Sequence, residues 1–436
     1  MLVRNGSLVL LVILFLASVT ELGLQSFYLN GLGVYVSPVV WLVSGVVIAL
    51  SAGLLFFQKA KEAPDRVDRK SPFWLPVALF IGAAVFIGIR LSGIFLDYPV
   101  GPEHSDIVPS LQMYVQRMLG GETVYAPLEF PTWTVLPTYF PVMWLPYTFS
   151  EVLNIDYRWT AYGVFLLGAG LYLHRLYRQG AKPGELVWKT LLPFVYLLVF
   201  ISTKPNYFGY AVELMPAGLY LLLALTVFKR NIWVMALGIS LCLLSRYALS
   251  FWLPVYMIML WGERSFPHAF KVGLGVLTFV ALLYVIPFLS KDWSILTDGL
   301  AYYQKTAEGQ WHPQTWQAEG EPPAHLYRGL SFAPYFYEKG HLSVVERLAD
   351  NQKIHFLVSA TTALLLLLGY FLLRRRSRFH PRLYALVALK LYLSVFYAWL
   401  YVPFAYLYML PCLFTLVLWW EIRNHHFLKI SVARSS

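Results

Sequence analysis

The chain reads as an all-α protein, a polytopic transmembrane bundle of about 12 spans with two long loops on one side. Three observations predict this. Of 436 residues, 58% are hydrophobic and only 13% charged, and the mean hydropathy is +0.58, outside the range of water-soluble domains. Apolar runs able to cross about 30 Å of hydrocarbon recur from end to end and leave no room for a large soluble domain, so residues 1–436 form a single transmembrane domain. Lys and Arg gather in alternate short loops, as expected of cytoplasmic connections.

The predicted spans are 7–24, 34–57, 72–96, 157–177, 186–202, 211–228, 231–245, 249–262, 269–289, 354–373, 383–400 and 402–420. The first follows "MLVRNG" and imitates a secretory signal. Another spanning-length run follows almost at once, so it reads as an uncleaved helix. With the N-terminus in the cytoplasm, the inward connections "KAKEAPDRVDRK", "HRLYRQGAKPGE", "KRN", "WGERSFPHAFK", "RRRSRFHPR" and the C-terminal tail are all basic. The inner side then holds 22 Lys/Arg and 6 Asp/Glu against 10 and 17 outside, with Arg90 and Lys390 left in the bilayer. The net charge of +11 is therefore an orientation signal and no reason to expect nucleic acid.

Two segments fall outside, 97–156 and 290–353. The first ends in "PTWTVLPTYFPVMWLPYTF", whose four prolines rule out a straight spanning helix and predict interfacial or re-entrant pieces. The runs 231–245 and 249–262 predict two short helices whose junction, "LSRYALS", lies below the outer surface. Cys242 and Cys412 sit within apolar runs and read as small core residues with no disulfide.

The acid-rich stretch "LDYPVGPEHSD" opens the first outer loop. Ser105 is a reasonable helix N-cap, placing Asp106 in the first turn where a carboxylate favours the helix dipole. A carboxylate partly desolvated at the outer end of a span is also suited to take a proton from a hydroxyl. Asp97, at the membrane boundary, is either a plain boundary residue or a partner that aligns an acceptor. A guanidinium at the depth of Arg246 costs about 2.5–3.5 kcal/mol unless compensated, and a phosphate diester would compensate it as a fork. Lys204 is a second candidate for the same phosphate, or an interfacial anchor. Arg90 is near enough to its helix end to snorkel, and Lys390 pairs with a phosphate or a carbonyl. The second loop carries Tyr302, Tyr303, Trp311, Trp316, His312, His325, Arg328 and His341, a set suited to stacking on sugar rings and reading hydroxyls, although aromatics belong at any membrane interface.

"SD" with Tyr114 eight residues on, then "LGGETVYAP" containing Tyr125, then "YFPVMWLPY", resembles the first outer loop of GT-C-type glycosyltransferases, and most of all their bacterial polyprenyl-phosphate-sugar-dependent, mannosyltransferase-like branch. "NYFGYAVELMPAGLYLLLAL", "LGISLCLLSRYALSFWLP" and "VPFAYLYMLP" resemble later segments of that family in order, so that the likeness covers about residues 72–290 and 383–415. Two spans precede the one that leads into the acid loop, whereas in the family that loop usually follows the first span. A shifted alignment makes Glu21 the rival acid. The resemblance implies a GT-C-like fold and a membrane hexosyltransferase. It would move a sugar, with mannose the candidate, from a polyprenyl-phosphate donor to a glycolipid, polysaccharide or protein acceptor on the periplasmic face, in a bacterial inner membrane with both termini cytoplasmic. Asp106 is then the base and Asp97 its companion; Arg246, Lys204 and Arg328 hold the donor phosphate; Tyr125, Tyr302, Tyr303, Trp311, His312 and His325 line the substrate. No cofactor is required, although Asp97 and Asp106 could share Mg or Mn if the fold joins them.

Two other functions fit the same composition. A lipid or solute transporter wants charge near the bilayer midplane and helix breaks in matching halves. A polysaccharide polymerase or ligase using a lipid diphosphate would depend on Arg246, Arg328 and His312 and dispense with Asp106.

Overall fold

The structure, a computed structural model, describes residues 2–26, 31–59, 73–131, 133–314, 317–376 and 379–422. The basic connection at 60–72, the C-terminal tail from 423 and Trp316 lie outside the described residues.

Helices occupy all twelve predicted segments. They are α1 (Leu2–Ser26), α2 (Val36–Lys59) and α3 (Trp74–Asp97), then, after the loop helix α4 (Ile107–Gly120), α5 (Tyr157–Arg178), α6 (Pro183–Thr203), α7 (Leu214–Thr226), α8 (Ile232–Leu243), α9 (Trp252–Glu263) and α10 (Phe266–Val280). After a second loop helix, α11 (Ser294–Gln310), come α12 (Val344–Leu373), α13 (Pro381–Ala398) and α14 (Met409–Glu421). Among the described residues, six are long and apolar enough to cross a membrane: Gly6–Ser26, Val36–Phe57, Trp74–Asp97, Pro183–Thr203, Phe266–Leu289 and Val344–Leu373. Leu214–Thr226, Ile232–Leu243 and Ala405–Glu421 are apolar but shorter. The protein is therefore an all-α, membrane-embedded bundle. One two-stranded ribbon, Leu128–Glu129 with Thr134–Val135, interrupts the first loop.

Local chemistry explains the boundaries. Asn231 Oδ1 caps α8 by accepting from the Trp233 and Val234 amides at 2.9 and 3.2 Å, and Asp156 caps α5 by accepting from the Arg158 amide at 2.9 Å. The helix α12 starts at Val344, ten residues before its predicted span, because Ser343 and Glu346 form a reciprocal capping box in the polar stretch. The expected break between α8 and α9 is present as one 3-10 turn, Tyr247–Leu249.

Both long loops fold back onto one end of the bundle. Arg158, 3% exposed at the start of α5, donates to the carbonyls of Tyr98, Gly209 and Phe95 and so ties together the ends of α3 and of the turn after α6. The Val142 amide of the first loop donates to the Leu244 carbonyl at 3.1 Å, just after α8. In the second loop, Trp311 Nε1 donates to the Tyr401 carbonyl at 2.7 Å, and the Phe332 amide to the Ala398 carbonyl at 2.9 Å. Separate ties close the opposite end: Arg175 with Glu421, Arg382 Nε with Glu263 at 2.8 Å, and Lys189 Nζ with the Trp420 and Ile422 carbonyls.

Two sequence expectations change. Glu21 is not in an outer loop; it lies within α1, wholly buried, bonded to Lys390 Nζ and accepting from Thr415 Oγ1 at 2.7 Å. It is thereby removed as a rival loop acid. Lys390 pairs with that carboxylate and with the Pro411 carbonyl at 2.9 Å, so it holds no phosphate. Arg90 is exposed on α3, and Cys242 and Cys412 are buried and unpaired as expected.

Removing one partner of a wholly buried pair strands the other charge. Lys390→Met is expected to lower unfolding stability by about 3–5 kcal/mol, and Lys390→Met with Glu21→Leu to recover most of it. Denaturant unfolding in detergent measures both, and equal losses in the single and double variants would contradict the pairing.

Candidate functional site

The site is built where the two loops meet the broken pair α8/α9. Asp106 occupies the position just before α4, but its carboxylate makes no capping bond. Ser105 does that work instead, its Oγ accepting from the Ile107 amide at 3.3 Å while donating to the Tyr210 carbonyl at 3.1 Å. Sequence reasoning placed Asp106 inside the first turn; the helix starts one residue later, which leaves its carboxylate free of the cap. The side chain is half-buried, and desolvation raises its pKa above the usual carboxylate value, against a smaller lowering by its own backbone N–H.

Four-residue spacing sets Ser110 and Tyr114 below Asp106 on one face of α4. Both are buried; the Ser110 Oγ has no hydrogen-bond partner within the protein, whereas the Tyr114 hydroxyl faces the backbone at Thr138 and Tyr139. Tyr114 stacks on Trp144 with ring centroids 5.7 Å apart, and Tyr125 packs edge-on to Tyr114, Trp144 and Phe288. Tyr125 is thus set, half-buried, into an aromatic wall, with its hydroxyl toward Trp144.

Arg246 is in extended backbone (φ −148°, ψ 137°) between α8 and the 3-10 turn. Its side chain, 20% exposed, is bonded through Nη2 to Glu213, 4% exposed, at the start of α7. The guanidinium is therefore compensated within the protein by Glu213, a partner that the sequence reading did not name. The charges of Asp106, Glu213 and Arg246 all act on the phenols of Tyr139 and Tyr406. The loop acid and the buried ion pair thus act on the same two tyrosines. Beside Arg246, the Tyr247 and Tyr303 hydroxyls share a hydrogen bond at 2.6 Å, and this brings the second loop to the site.

The remaining candidates are placed unevenly. Asp97 is exposed at the end of α3. Lys204 is half-buried at the end of α6, and its charge does not figure among those acting on Tyr139, Tyr147 or Tyr406. Trp311, fully buried, is a pillar of the second loop's own small core with Leu326, Phe336 and Leu348, and offers no face to a sugar. His325 packs on Phe404 at 5.2 Å; burial first, then the neighbouring charge of Arg328, lowers its pKa to about 4. Arg328 and His312 are exposed and Tyr302 is half-buried. Among the described residues, no group of three or more His, Cys, Asp or Glu gathers in a metal-binding arrangement.

Sequence reasoning missed Glu213, Tyr139, Tyr147 and Tyr406. The signal for Glu213 was present: the argument that Arg246 needs a counter-charge points to an acid between apolar runs, and "AVELMP" holds one. The chain matches no family model, no curated protein and no solved structure.

Because the folded protein raises the Asp106 pKa, its ionisation costs stability once pH exceeds the ordinary carboxylate range. Asp106→Asn is expected to raise the melting temperature at pH 7, the gain shrinking as pH falls through the raised pKa and vanishing below about 4. Thermal unfolding across that pH range checks it, and a pH-independent difference would remove the desolvation argument.

Proposed function

We propose that this protein is an inverting glycosyltransferase of the GT-C type. Twelve helices cross the membrane, and the site lies on the side that faces the periplasm, with both termini in the cytoplasm. It moves a sugar, mannose being the candidate, from a polyprenyl-phosphate carrier to an acceptor hydroxyl on a glycolipid, polysaccharide or protein. The observation that supports this reading is the shared field of Asp106 and the Glu213–Arg246 pair on Tyr139 and Tyr406, where the two long loops converge. Such a place offers a carboxylate to act as base and a guanidinium to hold an anion.

In the reaction, Asp106 takes the proton of the acceptor hydroxyl while that oxygen bonds to the anomeric carbon. The bond from that carbon to the phosphate oxygen breaks with its electron pair, leaving polyprenyl phosphate, and the configuration inverts. A phosphate is a good leaving group without protonation, so it needs positive charge, which Arg246 supplies. The buried, partnerless hydroxyl of Ser110 suits the reading of a sugar hydroxyl.

A transporter would use the buried Glu21–Lys390 pair as its pathway. That pair is closed, each side chain wholly buried and bonded to α13 and α14 partners, which favours a structural role. The polymerase or ligase reading relies on Arg328 and His312 beside Arg246, and both of these side chains are exposed.

Purified protein with labelled polyprenyl-phosphate sugars and candidate acceptors tests the proposal. Asp106→Asn is expected to cut the transfer rate by about 10²–10⁴-fold with donor binding retained. Undiminished transfer by the variant would remove Asp106 from the chemistry.

A further inference from the structure

The Glu213–Arg246 pair is incomplete in a way that the other buried pairs are not. Lys189 Nζ bonds Glu185 and two carbonyls at 2.5–2.7 Å. Lys390 Nζ bonds Glu21 and the Pro411 carbonyl, while the second Glu21 oxygen accepts from Thr415. Arg246 makes one bond, from Nη2 to Glu213 Oε1; its Nε is buried without a partner, and so is Glu213 Oε2. A guanidinium and a carboxylate bind most strongly as a two-bond fork, and here a single edge holds them.

One buried hydroxyl is open to become a second partner for the carboxylate. The Tyr147 hydroxyl is wholly buried and has no hydrogen-bond partner, and of the charges acting on it that of Glu213 is the largest. An unpartnered buried hydroxyl costs about 1–3 kcal/mol, so a carboxylate turning toward it is compensated.

We propose that Glu213 is an exchangeable counterion: it holds Arg246 until a phosphate ester takes the guanidinium, and then turns to the Tyr147 hydroxyl. This rests on the assignment of Arg246 to the donor phosphate. The exchange suits the reaction's change of charge. The donor is a phosphodiester with one negative charge, whereas the released carrier is a monoester carrying about −1.5 to −2 at neutral pH. A bare guanidinium would retain the product more tightly than the donor. Glu213 competes for Arg246 and repels the monoester, so it promotes release.

The test is equilibrium binding of a ten-carbon prenyl phosphate to the purified full chain in detergent, with no acceptor present. Glu213→Gln removes the competing charge and is expected to bind about ten-fold tighter or more. Glu213→Asp, which keeps the charge but withdraws it by one methylene, is expected to fall between that and wild type; it carries the test should Glu213→Gln fail to fold, as melting curves would show. Tyr147→Phe deprives the released carboxylate of its second partner and is expected to bind several-fold weaker. Unchanged or weaker binding by both Glu213 variants would overturn the exchange. If binding needs Arg246 but is indifferent to Glu213, the exchange alone falls. If Arg246→Gln binds as well as wild type, the phosphate assignment falls with it.

Discussion

A guanidinium inside an apolar bundle must have a counter-charge, and the Glu213–Arg246 pair is where this protein meets that demand. The pair joins the start of α7 to the break between α8 and α9, so the break is a fixed feature and not a frayed helix end. Everything at that end of the bundle is arranged around it. The first loop reaches it through Tyr139 and Tyr147, the second through the Tyr303–Tyr247 hydrogen bond, and the turn before α14 through Tyr406. Phenols suit this position because each presents an apolar ring to the bundle and one polar group to the charges.

The helices were legible in the sequence because a bilayer imposes a single strong rule, that every backbone polar group be satisfied within its own segment. Apolar length therefore located all twelve helices, and proline density in 131–146 marked the piece of loop that could not be one. What composition could not supply was where polar residues continue a helix. The beginning of α12 is such a case, its first turns being set by the Ser343–Glu346 capping box and not by hydropathy. Glu21 failed for the same reason: a carboxylate near the end of an apolar run reads as an exit to water, whereas the structure neutralises it with Lys390, 369 residues away.

The site was legible as types of residue but not as pairs. Asp106 and Arg246 stand out singly, one by its place at the outer end of a span and the other by its depth. Their common neighbours come from three distant stretches of chain, which no spacing rule connects. The second loop misled differently. Its aromatics looked like a saccharide platform, yet Trp311 holds the loop's own core and donates its indole N–H to Tyr401. An aromatic in a loop serves either the fold or a ligand, and only its burial tells which.

The contrast among the ion pairs separates structure from function. Where a pair exists to join helices, its hydrogen-bonding capacity is used up: Lys189 and Lys390 each add carbonyl bonds to their carboxylates, and Tyr172 adds its hydroxyl to the Arg175–Glu421 pair. A fold under selection for stability alone has reason to complete such networks, since each buried polar atom left over is costly. At Arg246 the network stops short, with its Nε and the Glu213 Oε2 both buried and unused, as are the Ser110 and Tyr147 hydroxyls of the first loop. Buried polar atoms without partners occur elsewhere, at Thr190, Tyr220 and Asn351 among others, but among the described residues only here do they fall on both members of an ion pair.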